Sequence, residues 1–125
     1  MPVADRFTEQ VKLYTTELQI DATLNVLPEA AELLRGGIPC NIHRGGRQAE
    51  DSALAIGMDA TLAAIAYFEV TNANRTDIKN GRVIQDQSGE CWVIRGKPAV
   101  RARFEETAHI RVLLEFLKVL PDGIA

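Results

Sequence analysis

The sequence predicts a mainly β fold, a small β-barrel or sandwich with a long loop and one or two short helices, in one domain over residues 1–125. Three observations carry this. Asp77 to Pro98 reads as a β-hairpin punctuated at both ends. Four apolar runs of strand length are separated by turn residues. The runs are rich in β-branched and aromatic residues, which pack well on a pleated surface.

In the hairpin, the turn dipeptide Asn80-Gly81 leads into Val83-Ile84, and Ser88-Gly89 forms a second turn before Cys91-Trp92-Val93-Ile94. Gly96 and Pro98 end its second strand. Upstream, residues 1–9 form a polar lead-in, and Val11, Leu13, Leu18 and Ile20 surround Tyr14-Thr15-Thr16 as a first strand. Pro28 to Gly36 has Pro and acid at its start and Arg then Gly at its end, the punctuation of a short helix. Ile38 to Arg44 follows as a strand with Ile38, Cys40 and Ile42 on one face. Gly45-Gly46 opens a polar stretch ending at Gly57; within it, Gln48 to Ile56 fits either a short helix capped by Gly57 or a long excursion between strands.

Two segments fit both periods. Asp59 suits a helix cap for the run that follows it, yet Ala64, Ala66, Phe68 and Val70 make one strand face, and the Tyr67 to Thr71 composition favours the strand. In His109 to Val119, Leu113, Phe116, Leu117 and Leu120 fit a helix, whereas Ile110, Val112, Leu114 and Phe116 fit a strand. As a strand, its second half is apolar on both faces and needs cover from another layer or another subunit. The expected core is Phe68, Val83, Trp92, Ile94, Val112 and Leu114.

The chain has 125 residues, 46% of them hydrophobic and 25% charged, enough for a core without covalent staples. A net charge of −3 lacks the bulk basic footprint of nucleic-acid binding. Ten arginines against four lysines suit protein interfaces or reflect codon usage. Two cysteines are too few for a disulfide framework. No basic start followed by an apolar run suggests a signal peptide, and Leu62 to Phe68 is too short to span a bilayer. A reduced, cytosolic setting without a membrane partner is expected.

No constellation supports catalysis. Cys40, His43, Cys91 and His109 have the residue types of a zinc site, but Cys40 and His43 fall on opposite faces of a strand and Cys91 and His109 lack close spacing. Ser52 and Ser88 sit in no nucleophile elbow. Glu50-Asp51 and Glu105-Glu106 read as solvated carboxylates, and neither glycine pair has the context of a phosphate loop. The expectation is no metal, no cofactor and no enzyme activity. A basic loop of Arg95, Lys97, Arg101 and Arg103 beside Trp92 and Phe104 would suit a barrel that binds single-stranded nucleic acid, but two glutamates follow it at once.

One pattern spans residues 10–119. A strand at Ile38 to Arg44 precedes a long loop and a strand at Ala66 to Val70. Then come Asp77-Ile78-Lys79-Asn80-Gly81-Arg82-Val83, a turn with Asp86 and Gly89, the strand Trp92-Val93-Ile94, and a closing apolar strand from Ile110 to Leu114. In this the chain resembles the head–tail joining proteins of tailed phages, the stopper or head-completion proteins, which commonly carry Tyr at the place of Trp92. It departs from them in the helix-like spacer Pro28 to Arg35 and the long charged segment Ala99 to Ala108.

The resemblance implies a barrel that assembles as a ring beneath a portal, extends the DNA channel and docks the tail. The implied partners are its own copies, a portal or adaptor protein, a tail protein, and DNA that passes without sequence-specific binding. The implied location is the virion, or the host cytoplasm during assembly. The channel or docking loop would be Arg47, Glu50, Asp51, Leu54 and Ile56, and the subunit interface Arg101, Arg103, Leu113 and Leu117. An acidic ring subunit would retain passing DNA weakly. The alternatives are a tail-completion or terminator protein and a small nucleic-acid-binding barrel.

Overall fold

The computed structural model describes residues 7–16, 31–102, 108–118 and 124. They form a closed antiparallel barrel of six strands: β1 (Glu9–Thr16), β2 (Ala31–Arg44), β3 (Ala63–Phe68), β4 (Val83–Gln85), β5 (Cys91–Arg101) and β6 (His109–Leu117). The order around the barrel is β1-β2-β3-β6-β5-β4. Two short helices, α1 (Arg47–Ala55) and α2 (Asn72–Asp77), flank β3 in sequence.

Alternation fills the interior. Leu13, Cys40, Ala64, Ala66, Phe68, Ile84, Ile94 and Leu114 are fully buried in one cluster with Val11, Ile110, Val112 and Trp92. The Trp92 indole meets the Phe116 ring edge-on at 5.3 Å, a favoured arrangement of aromatic quadrupoles. The barrel is a packed core with no room for a polymer to pass through it.

Two smaller apolar clusters lie on the outer face of the sheet. Tyr14, Val83, Cys91, Val93 and Leu117 pack together with Ile124. Ala63 and Ile65 pack with Ala49, Ala53 and Met58, with Leu113 half-buried beside them. These clusters explain why β3 and β6 are apolar on both faces: α1 and other parts of the same chain cover them. Leu117 is therefore buried within the subunit, which corrects its expected role at a subunit interface, and Leu113 is half-buried. Arg101 is exposed, and Arg103 lies outside the described residues.

Both ambiguous segments are strands. Asp59 does act as a cap: its side chain accepts from Thr61 N–H at 2.9 Å and closes the 3-10 turn Ala60–Leu62 just before β3. The first strand appears as Glu9–Thr16, and Leu18 and Ile20 lie outside the described residues.

The helix expected over Pro28 to Gly36 is overturned where it is described, because Ala31–Arg44 is one 14-residue strand. Its glycines do not stop a helix. Gly37, at φ 65, sits where the register against β1 slips between Val11 and Leu13, so it bends a strand at a bulge. Gly96, at φ 79, likewise marks a register slip between Arg95 and Ala99 instead of the end of β5, which runs on to Arg101. Helix α2 was not anticipated; Thr71 caps it by accepting from Asn74 N–H at 3.0 Å.

Trp92 is 5% exposed, and truncating a buried aromatic leaves a cavity that the barrel fills poorly. Trp92→Ala should cost about 3–5 kcal/mol in urea unfolding. A loss under about 1 kcal/mol would remove the indole from the load of the core.

Candidate functional site

The densest polar constellation surrounds Asp86 in the β4–β5 turn. Asp86 Oδ1 accepts from Ser88 N–H at 3.0 Å, Ser88 Oγ–H at 2.7 Å and Glu90 N–H at 3.0 Å. Oδ2 accepts from Arg44 at 3.1 Å and from the Trp92 indole N–H at 3.3 Å. Arg44 also donates to Glu9 Oε1 at 2.9 Å, while Glu9 Oε2 accepts from Ile42 N–H at 2.9 Å. One carboxylate thus ties together the hairpin turn, the core tryptophan and the far end of β2, and through Arg44 the start of β1.

Burial by itself raises the Asp86 carboxyl. The hydrogen bonds from Ser88, Trp92, Arg44 and Glu90 outweigh it and hold the group below its ordinary value. With donors on both oxygens, this carboxylate is a clamp and not a general base. The turn was legible from Asp86 and Gly89, but Arg44 and Glu9 come from strands too distant in sequence to be read as its partners.

Neither cysteine is a thiolate. Burial, with Glu9 adding to it, pushes the Cys40 thiol up to about 12, and burial next to Asp86 pushes Cys91 to about 11. Cys40 faces the core while His43 is exposed on the outer face. His43 and His109 instead flank Tyr67, with ring centroids at 5.2 and 5.1 Å. Among the described residues, no three His, Cys, Asp or Glu side chains are grouped to hold a metal ion.

The stretch from Gly45 to Gly57 is a docked helix rather than an open loop. After α1, Gly57 at φ 76 lets its N–H reach Leu54 O at 3.2 Å and Met58 N–H reach Ala53 O at 2.9 Å. This is a Schellman stop, and Met58 packs back on Ala53 as such stops favour. Ala49 and Ala53 are buried, so the helix docks through small side chains. Arg111 also donates to Ser52 at 3.2 Å, tying α1 to β6. Of the expected loop residues, Arg47, Glu50, Asp51 and Leu54 are exposed, Leu54 to 66%, while Ile56 is half-buried against the α1 cluster.

The expected basic loop is also corrected. Arg95 is buried on β5 and pairs with Glu115 of β6 at 2.7 Å. Lys97 and Arg101 remain exposed along the same strand.

A strand edge is left open on β2. Among the described residues, Ala31 to Pro39 pairs with β1 on one edge and with no strand on the other; pairing to β3 starts only at Cys40. Neighbouring Leu33 and Leu34 point to opposite faces, yet they are 54% and 43% exposed. Among the described residues, this half of β2 is therefore a sheet edge whose leucines are exposed on both faces. Part of its flank meets α2, where Arg35 donates to Asn74 and pairs with Asp77 at 3.6 Å.

No protein-family model matches the chain, and no curated protein matches it. Among solved structures it is similar to the solution structure of protein SF1141 from Shigella flexneri 2a, with a TM-score of 0.59 at 16% identity, covering 91% of this chain and 96% of that one. At that identity the likeness is one of fold.

Two outcomes check these assignments. Ala53→Leu should lose about 1–3 kcal/mol by overpacking under α1, while Leu54→Ala should stay within about 0.5 kcal/mol of the parent; equal effects would mean that α1 is not docked. For Asp86 the folded pKa lies below the value of 3.8 that the free carboxyl has. Its contribution to stability is thus fully present above that value and is lost as pH falls through the folded pKa. The unfolding free energy should drop on acidification below about pH 4, and Asp86→Asn should flatten the drop. Identical acid slopes would assign the drop to another carboxylate.

Proposed function

We propose that this chain is a structural subunit that assembles as a ring, in a phage or prophage head–tail connector that extends the DNA channel below a portal and docks a tail. The observation that carries the reading is the edge of β2 from Ala31 to Pro39. A strand edge left unpaired among the described residues, with leucines exposed on both faces, is a template for another chain. A neighbouring subunit would supply both the missing strand and the missing apolar cover.

Other features support the same reading. The hairpin pattern resembles the head–tail joining proteins, and its Asp86 is central to the fold. The barrel interior is filled with side chains, so a DNA channel would have to lie between subunits. The single-strand-binding alternative loses support because Arg95 of its basic loop is buried in an ion pair.

The test is self-assembly. The purified chain, with and without a portal protein, is followed by mass photometry and negative-stain microscopy. Rings of one size are expected from the parent, and folded monomers from the pair Leu33→Glu with Leu34→Glu. A parent that stays monomeric at its highest soluble concentration with and without the portal, or a double variant that still forms rings, sinks the proposal.

A further inference from the structure

A recess of about 600 Å³ opens between α2, the turn that follows it and the bulge of β5. Its floor is aliphatic, made by Ile78, Pro98, Val100 and Ile110. Ile78 and Ile110 belong to the barrel core, whereas Val100 is 41% exposed. The bulge creates the recess by carrying β5 away from β6 between Arg95 and Ala99. Gly96 N–H donates to Asn80 Oδ1 at 3.0 Å, which ties the bulge to the turn and fixes the opening.

The rim is basic. Arg75, Lys79 and Lys97 border the recess, and among the described residues no acidic one does. Elsewhere arginines meet acids of the same chain: Arg35 with Asp77, Arg44 with Glu9 and Asp86, Arg95 with Glu115. The three rim cations have no ion-pair partner among the described residues, although the chain as a whole carries a net charge of −3.

We infer that this recess docks an acidic peptide segment of a partner protein, seating an apolar side chain on the aliphatic floor between carboxylates that meet the rim. The volume lies within the roughly 300–1,000 Å³ of sites that enclose a ligand group. Apolar floor and charged rim together divide the work of such a contact, the floor giving affinity and the rim specificity. Nucleic acid fits less well, because among the described residues no aromatic ring lines the recess for a base to stack on. The inference goes beyond the ring reading: the recess uses no residue of β1 or β2, and a monomer that forms no ring would still bind.

The experiment scans the full chain against an array of decapeptides in which one leucine or phenylalanine is set among glutamates at every position. The best binder is then followed by fluorescence anisotropy. Saturable binding is expected, weakened about tenfold or more by Lys79→Glu with Lys97→Glu and by exchanging the peptide's glutamates for glutamines. Both lysines are exposed, so the double variant should keep the parent Tm; the Leu33→Glu, Leu34→Glu variant should bind as the parent does. Three results overturn the proposal: no decapeptide binding better than an all-glutamate control, binding indifferent to the lysine reversals, or tighter binding of a single-stranded oligonucleotide of equal charge.

Discussion

Closure of the barrel passes through three residues. Val83, Ile84 and Gln85 are the whole of β4, yet they pair with β1 on one side and β5 on the other. A strand so short contributes few ladder hydrogen bonds, so something else must hold it in register. The Asp86 clamp does this from the next position in the chain. Without it, β1 and β5 would each present a free edge, and a closed barrel is the only arrangement of strands that has none. Burying a carboxylate is costly, and it is tolerated here because five donors, one of them a guanidinium, compensate the lost water.

What the sequence revealed and what it concealed follow from the range of the interactions. The hairpin from Asn80 to Ile94 was legible because its signals are local: turn dipeptides bounding short apolar runs. The Gly57 cap was one of the two readings that the local signals of its stretch allowed. The first half of β2 was misread because its local signals, acid early, Arg and Gly late, describe a helix, while its strand state comes from pairing with β1. A glycine at positive φ serves a helix end and a β-bulge equally well, and only the partner strand decides between them. Helix α1 hid its docking face because that face is made of alanines, which carry little hydrophobic signal but allow close approach. Arg95 read as a loop cation because its partner, Glu115, lies across the sheet on β6.

Covering the outside of a barrel is a separate problem from filling its inside. Here one face is covered by α1 and another by the cluster that Ile124 joins, both within the chain. Leu117, a side chain that looked available for a neighbour, is thereby used, and Leu113 is half-buried. Among the described residues, the large apolar side chains left exposed are Leu33, Leu34, Leu54 and Val100. Leu33 and Leu34 share the open edge of β2 and Val100 lines the basic recess. Single exposed apolar residues such as Leu54 are ordinary on a protein surface, but apolar residues that coincide with an unpaired strand edge or a concave opening are not.

Charge pairing then decides where the remaining polarity acts. The ion pairs at Arg35, Arg44 and Arg95 place three arginines against acids of adjacent elements, where they hold the sheet and project little field. The cations without acid partners around the recess are therefore more prominent than the overall composition suggests. A net acidic chain can still carry a positive opening where cations cluster without acids beside them. An approaching partner responds to that local potential more than to the net charge, since solvent ions screen charges farther than about 8–10 Å away.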